Sequence, residues 1–503
     1  MCGISGAWGT RDQKTVESMM EHLRHRGPDD SGVYASDKGV LGHRRLSIMD
    51  PEDGKQPYRN EAESMTLVAN GEIYNWRALR QDLQDKHTFA TNADTEVALH
   101  LFEDSGADSV EKLEGMFALA FAKDGELTLA RDPIGIKPLY YCEPDTTTGK
   151  TLRFASEMKA LTDAGVAIHE VAPGTVYSAT GSRTFYEVPN HQPEYSDDTD
   201  VPALIQDIRD TLTYAVERRL MSDVPLGAFL SGGLDSSIIA AIAKEKMGEL
   251  HTFSVGVEGS PDLKAARFVS DYLGTIHHEY VFTLGEVKKA LPEIIYGLES
   301  FDKDLVRSVV PTYFTARLAA EHVKVILTGE GADELFAGYT YYKDIADDAA
   351  LHRELHRSIT AMHNVNLQRV DRMTMAHSIE GRVPFLDTEM VDLAMRIPAE
   401  VKLHRQQGQK PVEKWILRRA FEDMLPHDIV WRDKAQFDEG SGSVDLLGQA
   451  IDDALGSFDA AAFRAAHPDA KLRSDEEAYY YSIFEDVFER PDLMLPNVGR
   501  WEQ

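Results

Sequence analysis

The string Leu230-Ser231-Gly232-Gly233-Leu234-Asp235-Ser236-Ser237 carries the residue types needed to hold a nucleotide. An apolar run over 226–230 leads in, Ser-Gly-Gly turns the chain, and Asp235-Ser236-Ser237 opens an apolar helical segment with Ile238 and Ile242 one turn apart. Strand, glycine turn and helix N-terminus in that order turn unpaired N–H groups and the positive end of a helix dipole toward an anion, and glycine lets the backbone come close to it. Ser231, Ser236 and Ser237 add hydroxyl donors. Asp235 is out of place beside a bare phosphate unless a divalent cation lies between them, so the string predicts a nucleotide with Mg²⁺. It lacks the lysine of the G-x-x-x-x-G-K loop, which disfavours a kinase-like or GTPase-like site. A serine-capped turn between strand and helix is the plainer alternative.

A second group lies at the N-terminus. Cys2 follows Met1 directly, and removal of Met1 would place a thiol and a free α-amine on one residue. An α-amine with a pKa of about 8 can act as a base near neutral pH, and a thiolate is the nucleophile for acyl transfer from an amide. Arg45-Leu46-Ser47-Ile48-Met49 sets an arginine beside a short strand, suited to a substrate carboxylate. Asn70-Gly71-Glu72 supplies a side-chain amide and a glycine N–H, the parts of an oxyanion hole. Asp94, just before a helix, suits an ammonium group. Singly these read as a surface salt bridge, a turn and an N-cap. Together they form nucleophile, anion clamp, oxyanion hole and cation clamp, and glutamine engages all four.

Further along, Val325-Ile326-Leu327-Thr328-Gly329-Glu330-Gly331-Ala332-Asp333-Glu334 is a strand running into a glycine-rich turn. It delivers carboxylates to the strand's C-terminal end, where ligands of open α/β sheets bind. Asp333 with Asp235 suits Mg²⁺ on a triphosphate, and Glu330 is a candidate catalytic carboxylate. No cysteine or histidine spacing typical of a metal site appears, and His277-His278 reads as strand.

These groups need two kinds of scaffold. Up to about residue 187 the chain reads as short strands (67–69 and 117–121 among them) with helices carrying Trp76, Leu79 and Leu83, then Val97 and Leu101. Residues 188–202, with three prolines and Asp197, Asp198 and Asp200, read as a linker. From 203 to 503, after a helix face of Ile205, Ile208, Leu212 and Val216, strands at 226–230, 251–257, 277–282 and 323–328 alternate with helices, the pattern of a parallel sheet; beyond about 340 the chain is mainly helical. The fold class expected is α/β in two domains. The 503 residues are 43% hydrophobic, with no apolar run near the ~18–20 residues of a membrane span. A net charge of -31 repels phosphate backbones, so neither membrane nor nucleic acid is an expected partner. Two cysteines, Cys2 and Cys142, and the lack of a basic-then-apolar leader fit a reducing, cytoplasmic setting.

Met1-Cys2-Gly3-Ile4, Arg24-His25-Arg26-Gly27-Pro28-Asp29, Arg45-Leu46-Ser47-Ile48 and Asn70-Gly71-Glu72-Ile73-Tyr74-Asn75 resemble a glutamine amidotransferase domain with an N-terminal cysteine nucleophile. The Ser231–Ser237 string resembles the pyrophosphate-binding loop of ATP-dependent synthetases. Joined in this order, from residue 1 to about 440, the chain is similar to the glutamine-hydrolysing asparagine synthetases. The resemblance implies an N-terminal-nucleophile αββα sandwich (1–187), then a parallel-sheet domain of the adenine-nucleotide α-hydrolase type with a helical C-terminal region. It implies catalytic roles for Cys2, Asn70, Gly71 and Glu330, and glutamine held by Arg45, Leu46, Ser47, Ile48, Met49, Asn70, Gly71, Glu72 and Asp94. ATP would be held by Leu230 to Ser237, Val255, Thr328, Gly329, Arg307 and Lys414, with Mg²⁺ on Asp235 and Asp333. Glutamine, aspartate and ATP are the implied substrates, a β-aspartyl-AMP the intermediate, an internal tunnel the ammonia route and a homodimer the assembly. The rival reading is the same machinery amidating another carboxylate, a sugar acid or an antibiotic precursor. Asp304 and Leu305 stand where many such synthetases carry two threonines, which puts hydroxyl contacts to phosphate there in doubt.

Overall fold

Within residues 115–123, large and small side chains alternate from Phe117 onward, and this sets the architecture of the first domain. In the computed structural model, which describes residues 2–501 except 147, 148, 192, 194, 197, 198, 407, 409 and 433–439, that stretch is one strand buried on both faces. Phe117, Leu119 and Phe121 face a helical layer with Leu83, Val97 and Leu101, while Ala118, Ala120 and Ala122 face a second sheet through Ile4, Leu41 and Phe154. A strand with period-2 side chains serves two layers at once, and the alanines let the sheets approach.

The strands are β1 (Cys2–Trp8), β2 (Asp30–Ala35), β3 (Gly39–Arg45), β4 (Tyr58–Arg59), β5 (Met65–Ile73), β6 (Gly115–Lys123), β7 (Glu126–Arg131), β8 (Tyr140–Cys142), a small hairpin of β9 (Asp145–Thr146) and β10 (Gly149–Lys150), β11 (Leu152–Ala155), β12 (His169–Glu170), β13 (Thr175–Ser178) and β14 (Gly181–Thr184). One sheet runs β12-β8-β11-β1-β3-β2 and the other β14-β13-β7-β6-β5-β4. Helix α1 (Gln13–His22) covers the outside of the first through Val16 and Met20. Helices α2 (Trp76–Leu83) and α3 (Glu96–Ser105) cover the second. This is the expected αββα sandwich of antiparallel strands.

Helix α4 (Val201–Arg218), N-capped by Asp200, already begins within the stretch read as linker, where Asp197 and Asp198 lie outside the described residues. The sheet of the second domain is parallel, ordered β17 (Ile276–Val281), β16 (His251–Gly256), β15 (Leu226–Phe229), β18 (Val325–Leu327), β19 (Glu380–Arg382). Helix α5 (Leu234–Met247) follows β15, α6 (Pro261–Leu273) follows β16, and α7 (Leu284–Leu298) and α8 (Lys303–Ala319) follow β17. Ala228, Val325 and Leu327 pack on α5, whereas Phe253 and Ile326 pack on α8, so helices cover both faces. The chain reverses its direction of winding between β15 and β18, and the crevice beyond their C-terminal ends is the switch point where such sheets bind ligands. Strand β19, only three residues long and built on Glu-Gly-Arg, gave no hydrophobic signal in the sequence. Beyond the turn after β18 come α9 (Ala332–Phe336), α10 (Asp348–Thr360), α11 (Asn366–Ala376), α12 (Thr388–Arg396), α13 (Ala399–Lys402) and α14 (Trp415–Ala420). No helix among the described residues is long and apolar enough to cross a membrane.

The domains meet through a buried ionic network. The fully buried Arg26 donates to Asp371 of α11 at 2.7 and 3.1 Å, to Glu157 at 2.7 Å, and through Nε to the Cys2 carbonyl at 3.1 Å. Arg372 reaches Glu299 and Glu157 at 3.1 and 3.2 Å, and Lys137 lies 3.9 Å from Asp371. Asp371→Ala would leave Lys137 and one side of Arg26 buried and under-compensated. Breaking a buried pair in this way costs about 3–5 kcal/mol. Denaturant unfolding should show that loss, and because Arg26 also holds the backbone of Cys2, the start of β1 should loosen with it.

Candidate functional site

Cys2 opens β1 opposite Arg45 of β3, and its side chain is buried. Its backbone N–H donates to Asn70 Oδ1 at 2.9 Å. That orients the Asn70 amide, whose Nδ2 is buried without a hydrogen-bond partner among the described residues. A buried donor left unpaired calls for an acceptor. Gly71 sits beside it at φ 148°, where a Cβ would lie 1.9 Å from the Met116 carbonyl. Burial pushes the Cys2 thiol up, and the Leu46 backbone N–H and the Arg45 charge pull it back.

Arg45 is not a free anion clamp. Its guanidinium donates to the carbonyls of Met49, Asp50 and Pro51 at 3.2, 2.6 and 3.1 Å. The strand ends at Arg45, so Leu46, Ser47, Ile48 and Met49 follow in irregular backbone rather than as the short strand expected, and the arginine braces that loop. Asp94 is buried and accepts from the Ile73 N–H at 2.6 Å; burial pushes its carboxyl up to about 6. Burial, with Asp94 and Glu380 nearby, pushes Glu72 well up as well. Glu72 lies 3.4 Å from Arg382, which Glu380 holds at 2.6 Å. The second domain thus brings Glu380 and Arg382 to the first site. Nothing read from the sequence placed either residue here; a Glu-x-Arg pair was the one available signal.

At the switch point lies a cavity of about 350 Å³. Leu230, Ser231, Gly233, Leu234, Asp235 and Ser236 line it from the first loop. Thr328, Gly329, Glu330 and Asp333 line it from the second. Three predicted contacts are not in it. Gly232 (φ 73°) faces α6, where a Cβ would meet Ala265 at 2.5 Å. Ser237, one turn into α5, is fully buried away from the opening, and Val255 packs in the core against α7 and α8.

Lys414 stands at the N-cap of α14 with φ 54° and reaches between the two loops: Nζ is 2.6 Å from Asp235 Oδ2 and 2.6 Å from Asp333 Oδ1. Gly338 makes room for this contact, since a Cβ there would lie 2.0 Å from Asp333 Oδ1 and 2.1 Å from Lys414 Cε. Glu330 is held by Arg369 of α11, which donates to both carboxylate oxygens at 2.8 and 2.7 Å. Arg307 is paired with Glu476 of the C-terminal region at 2.9 and 2.6 Å. Asp304 and Leu305 line the cavity from the first turn of α8, and Leu305 brings an apolar side chain where a hydroxyl was in question. Trp501 closes in from the tail. Arg369 and Glu476 were missed because each pairs with a residue more than 30 positions away, Trp501 because it reaches the cavity from the far end of the chain, and Gly338 because the lysine it makes room for lies far along the chain.

A thiol site on an αββα sandwich, fused to a cavity at a parallel-sheet switch point, defines an amidotransferase joined to a nucleotide-dependent synthetase. The comparisons agree. A family model described as "Glutamine amidotransferase domain" matches residues 1–190, and one described as "Asparagine synthase" matches 207–350 and 343–493. A probable glutamine-hydrolyzing asparagine synthetase of Dictyostelium discoideum is 38% identical, over 100% of this chain and 96% of its own. Asparagine synthetase B (glutamine-hydrolyzing) of Escherichia coli K12 is 38% identical, over 98% of this chain and 92% of its own. The chain belongs to the glutamine-hydrolysing asparagine synthetase family.

Proposed function

We propose that the chain makes asparagine from aspartate and ATP with ammonia released from glutamine. The observation that carries this is the pairing, in one chain, of a buried thiol beside Asn70 Nδ2, unpartnered among the described residues, with a nucleotide-sized cavity whose carboxylates converge on a lysine. In this reading the Cys2 sulfur attacks the glutamine side-chain amide, and Asn70 Nδ2 with the Gly71 N–H stabilises the oxyanion. Arg45 braces Leu46 to Met49 against the substrate, and Asp94 with Glu72 receives its ammonium group. Ammonia leaves, and water resolves the thioester to glutamate. In the second site the Ser231–Ser236 loop and the start of α5 hold the phosphates, Lys414 neutralises their charge, and Glu330, fixed by Arg369, sits where aspartate is adenylylated. Ammonia then displaces AMP from the β-aspartyl-AMP.

Asp235 Oδ1 is buried without a hydrogen-bond partner among the described residues, and carboxylate oxygens are the donors Mg²⁺ takes, so Asp235 and Asp333 fit it. There Mg²⁺ would offset the charge of the departing pyrophosphate. Arg307, neutralised by Glu476, acts in this reading on the rim rather than on phosphate. The reading includes a homodimer: Phe268, Tyr272, Ile276 and Val281 lie exposed along the β17 edge, an apolar face a second copy would cover, and sedimentation equilibrium tests it. It also includes the cytosol, which accords with two free buried thiols.

The deciding experiment is product analysis with glutamine, aspartate and ATP-Mg²⁺. Asparagine, glutamate, AMP and pyrophosphate in equal amounts are expected. Glutamate and AMP only with another acceptor carboxylate would move the chain to the rival reading.

Asp94 gives this reading a pH signature. Its folded pKa of about 6 lies above the unfolded value of about 3.9. The folded chain therefore holds the proton more tightly, and the stability gained below the unfolded value is lost as pH rises through about 4 to 6. Binding runs the other way, because the ammonium clamp requires the carboxylate. KM for glutamine should rise up to about tenfold per unit below pH 6, and Asp94→Asn should abolish that step while raising KM at pH 8.

A further inference from the structure

The amidotransferase half carries a cluster that the reaction does not use. His100 of α3 is fully buried, and neither ring nitrogen has a hydrogen-bond partner among the described residues. His87, from the segment after α2, lies against it with ring centroids 4.8 Å apart. Glu103, one turn further along α3, and Glu61, from the turn between β4 and β5, complete the group. One ligand atom from each of the four lies within 4.8 Å of the others.

The atoms are oriented for a shared centre. Glu103 Oε1 accepts from Asn60 Nδ2 at 2.8 Å, which turns Oε2 toward the imidazoles. That Oε2 is buried, has no hydrogen-bond partner among the described residues, and lies 3.5 Å from His87 Nδ1 and 3.8 Å from His100 Nδ1. The outer nitrogens face further carboxylates: His87 Nε2 is 3.0 Å from Asp104 Oδ1, and His100 Nε2 is 3.7 Å from Glu96 Oε1. A carboxylate behind the far nitrogen is how metal-bound histidines are oriented. Ligand bonds of about 2.0–2.1 Å in a tetrahedron place ligand atoms ~3.3 Å apart, so the two Glu103 Oε2 contacts close by about 0.2–0.5 Å and the widest pair of the group by up to about 1.5 Å.

We propose that Glu61, His87, His100 and Glu103 form a structural site for a divalent transition metal of the Zn²⁺ class. Two imidazoles with two carboxylates select such an ion over Mg²⁺ or Ca²⁺, and two carboxylate charges balance it. An ion pair of protonated His87 with Asp104 and Glu103 would leave His100 buried and unsatisfied; a central cation satisfies His100 Nδ1 and Glu103 Oε2 together. The metal ties the 60–64 turn, the segment running from α2 to Asp94, and α3 into one unit. A second histidine cluster, His251, His278 and His322, is the competitor. There His251 Nδ1 and His278 Nε2 already share a hydrogen bond at 2.9 Å, and no carboxylate joins them in the group.

The test uses the full chain without a histidine tag, stripped by a chelator and titrated with Co²⁺ and then Zn²⁺. Expected are one Co²⁺ per chain with the visible bands of a tetrahedral site, displacement by Zn²⁺, and a Zn²⁺-dependent rise in thermal midpoint. Glu61→Gln, on an exposed side chain, and His87→Gln should each lose the bands and the midpoint rise, while His322→Gln keeps both. Absence of Co²⁺ binding by the stripped wild type would overturn the proposal. So would full binding in the Glu61 and His87 variants with loss in His322→Gln, which would put the metal on the other cluster.

Discussion

Cys2→Ala should abolish glutamine-dependent asparagine formation, by at least about 10⁴-fold, and leave synthesis from ammonium within about twofold of wild type. Loss of a covalent nucleophile is among the largest single-residue effects on catalysis, because the remaining groups cannot form the acyl intermediate. The local fold should survive. The Cys2 N–H contact to Asn70 and the Arg26 contact to the Cys2 carbonyl are both made by backbone atoms that alanine retains. Steady-state rates with each nitrogen donor, measured on one preparation, separate the sites. Equal loss with ammonium would mean that the thiol supports the structure of the second domain instead.

Lys414→Ala should produce the reciprocal pattern, with asparagine synthesis lowered about 10²–10³-fold from either nitrogen source and glutamine hydrolysis retained. Lys414 is almost fully buried and is the cation common to Asp235 and Asp333, so its loss leaves two carboxylates facing the phosphate-binding cavity. Anion binding there becomes unfavourable, and the adenylylation step fails. Pyrophosphate–ATP exchange in the presence of aspartate reads that step directly. Lys414→Arg should not restore it. A planar guanidinium does not reproduce a compact ammonium held at 2.6 Å from both oxygens, with Gly338 leaving no spare volume. An unchanged exchange rate in Lys414→Ala would show that the lysine is structural.

The legible parts of the fold were those written in local order. The turn from β15 into α5 announced itself in Ser-Gly-Gly-Leu-Asp-Ser-Ser. The αββα layers were expected from the resemblance, and the alternation over 117–122 shows why the strand serves two layers. In the first site, the Cys2 N–H meets Asn70, and Asp94 accepts from the Ile73 N–H two residues beyond Gly71. Arg45 sits where a strand ends, and its guanidinium holds three loop carbonyls, a pairing its charge alone did not announce. Val255 and Ser237 fell into the core because an apolar residue and a short hydroxyl carry no mark of which face they will occupy.

What the sequence determined by itself was the class of chemistry: a thiol next to the N-terminus, an amide-glycine pair, a Ser-Gly-Gly loop opening a helix and an acidic glycine-rich turn, each a run of consecutive residues whose local geometry follows from their types. What only the tertiary structure decided was the pairing of charges. Arg26 with Asp371 joins residues 345 positions apart, Lys414 with Asp235 joins residues 179 apart, and Glu61 meets His87, His100 and Glu103 across three separate elements. The physical reason is that a buried ion takes its partner from whatever the packing of layers brings within a few ångströms, and sequence separation says nothing about that distance.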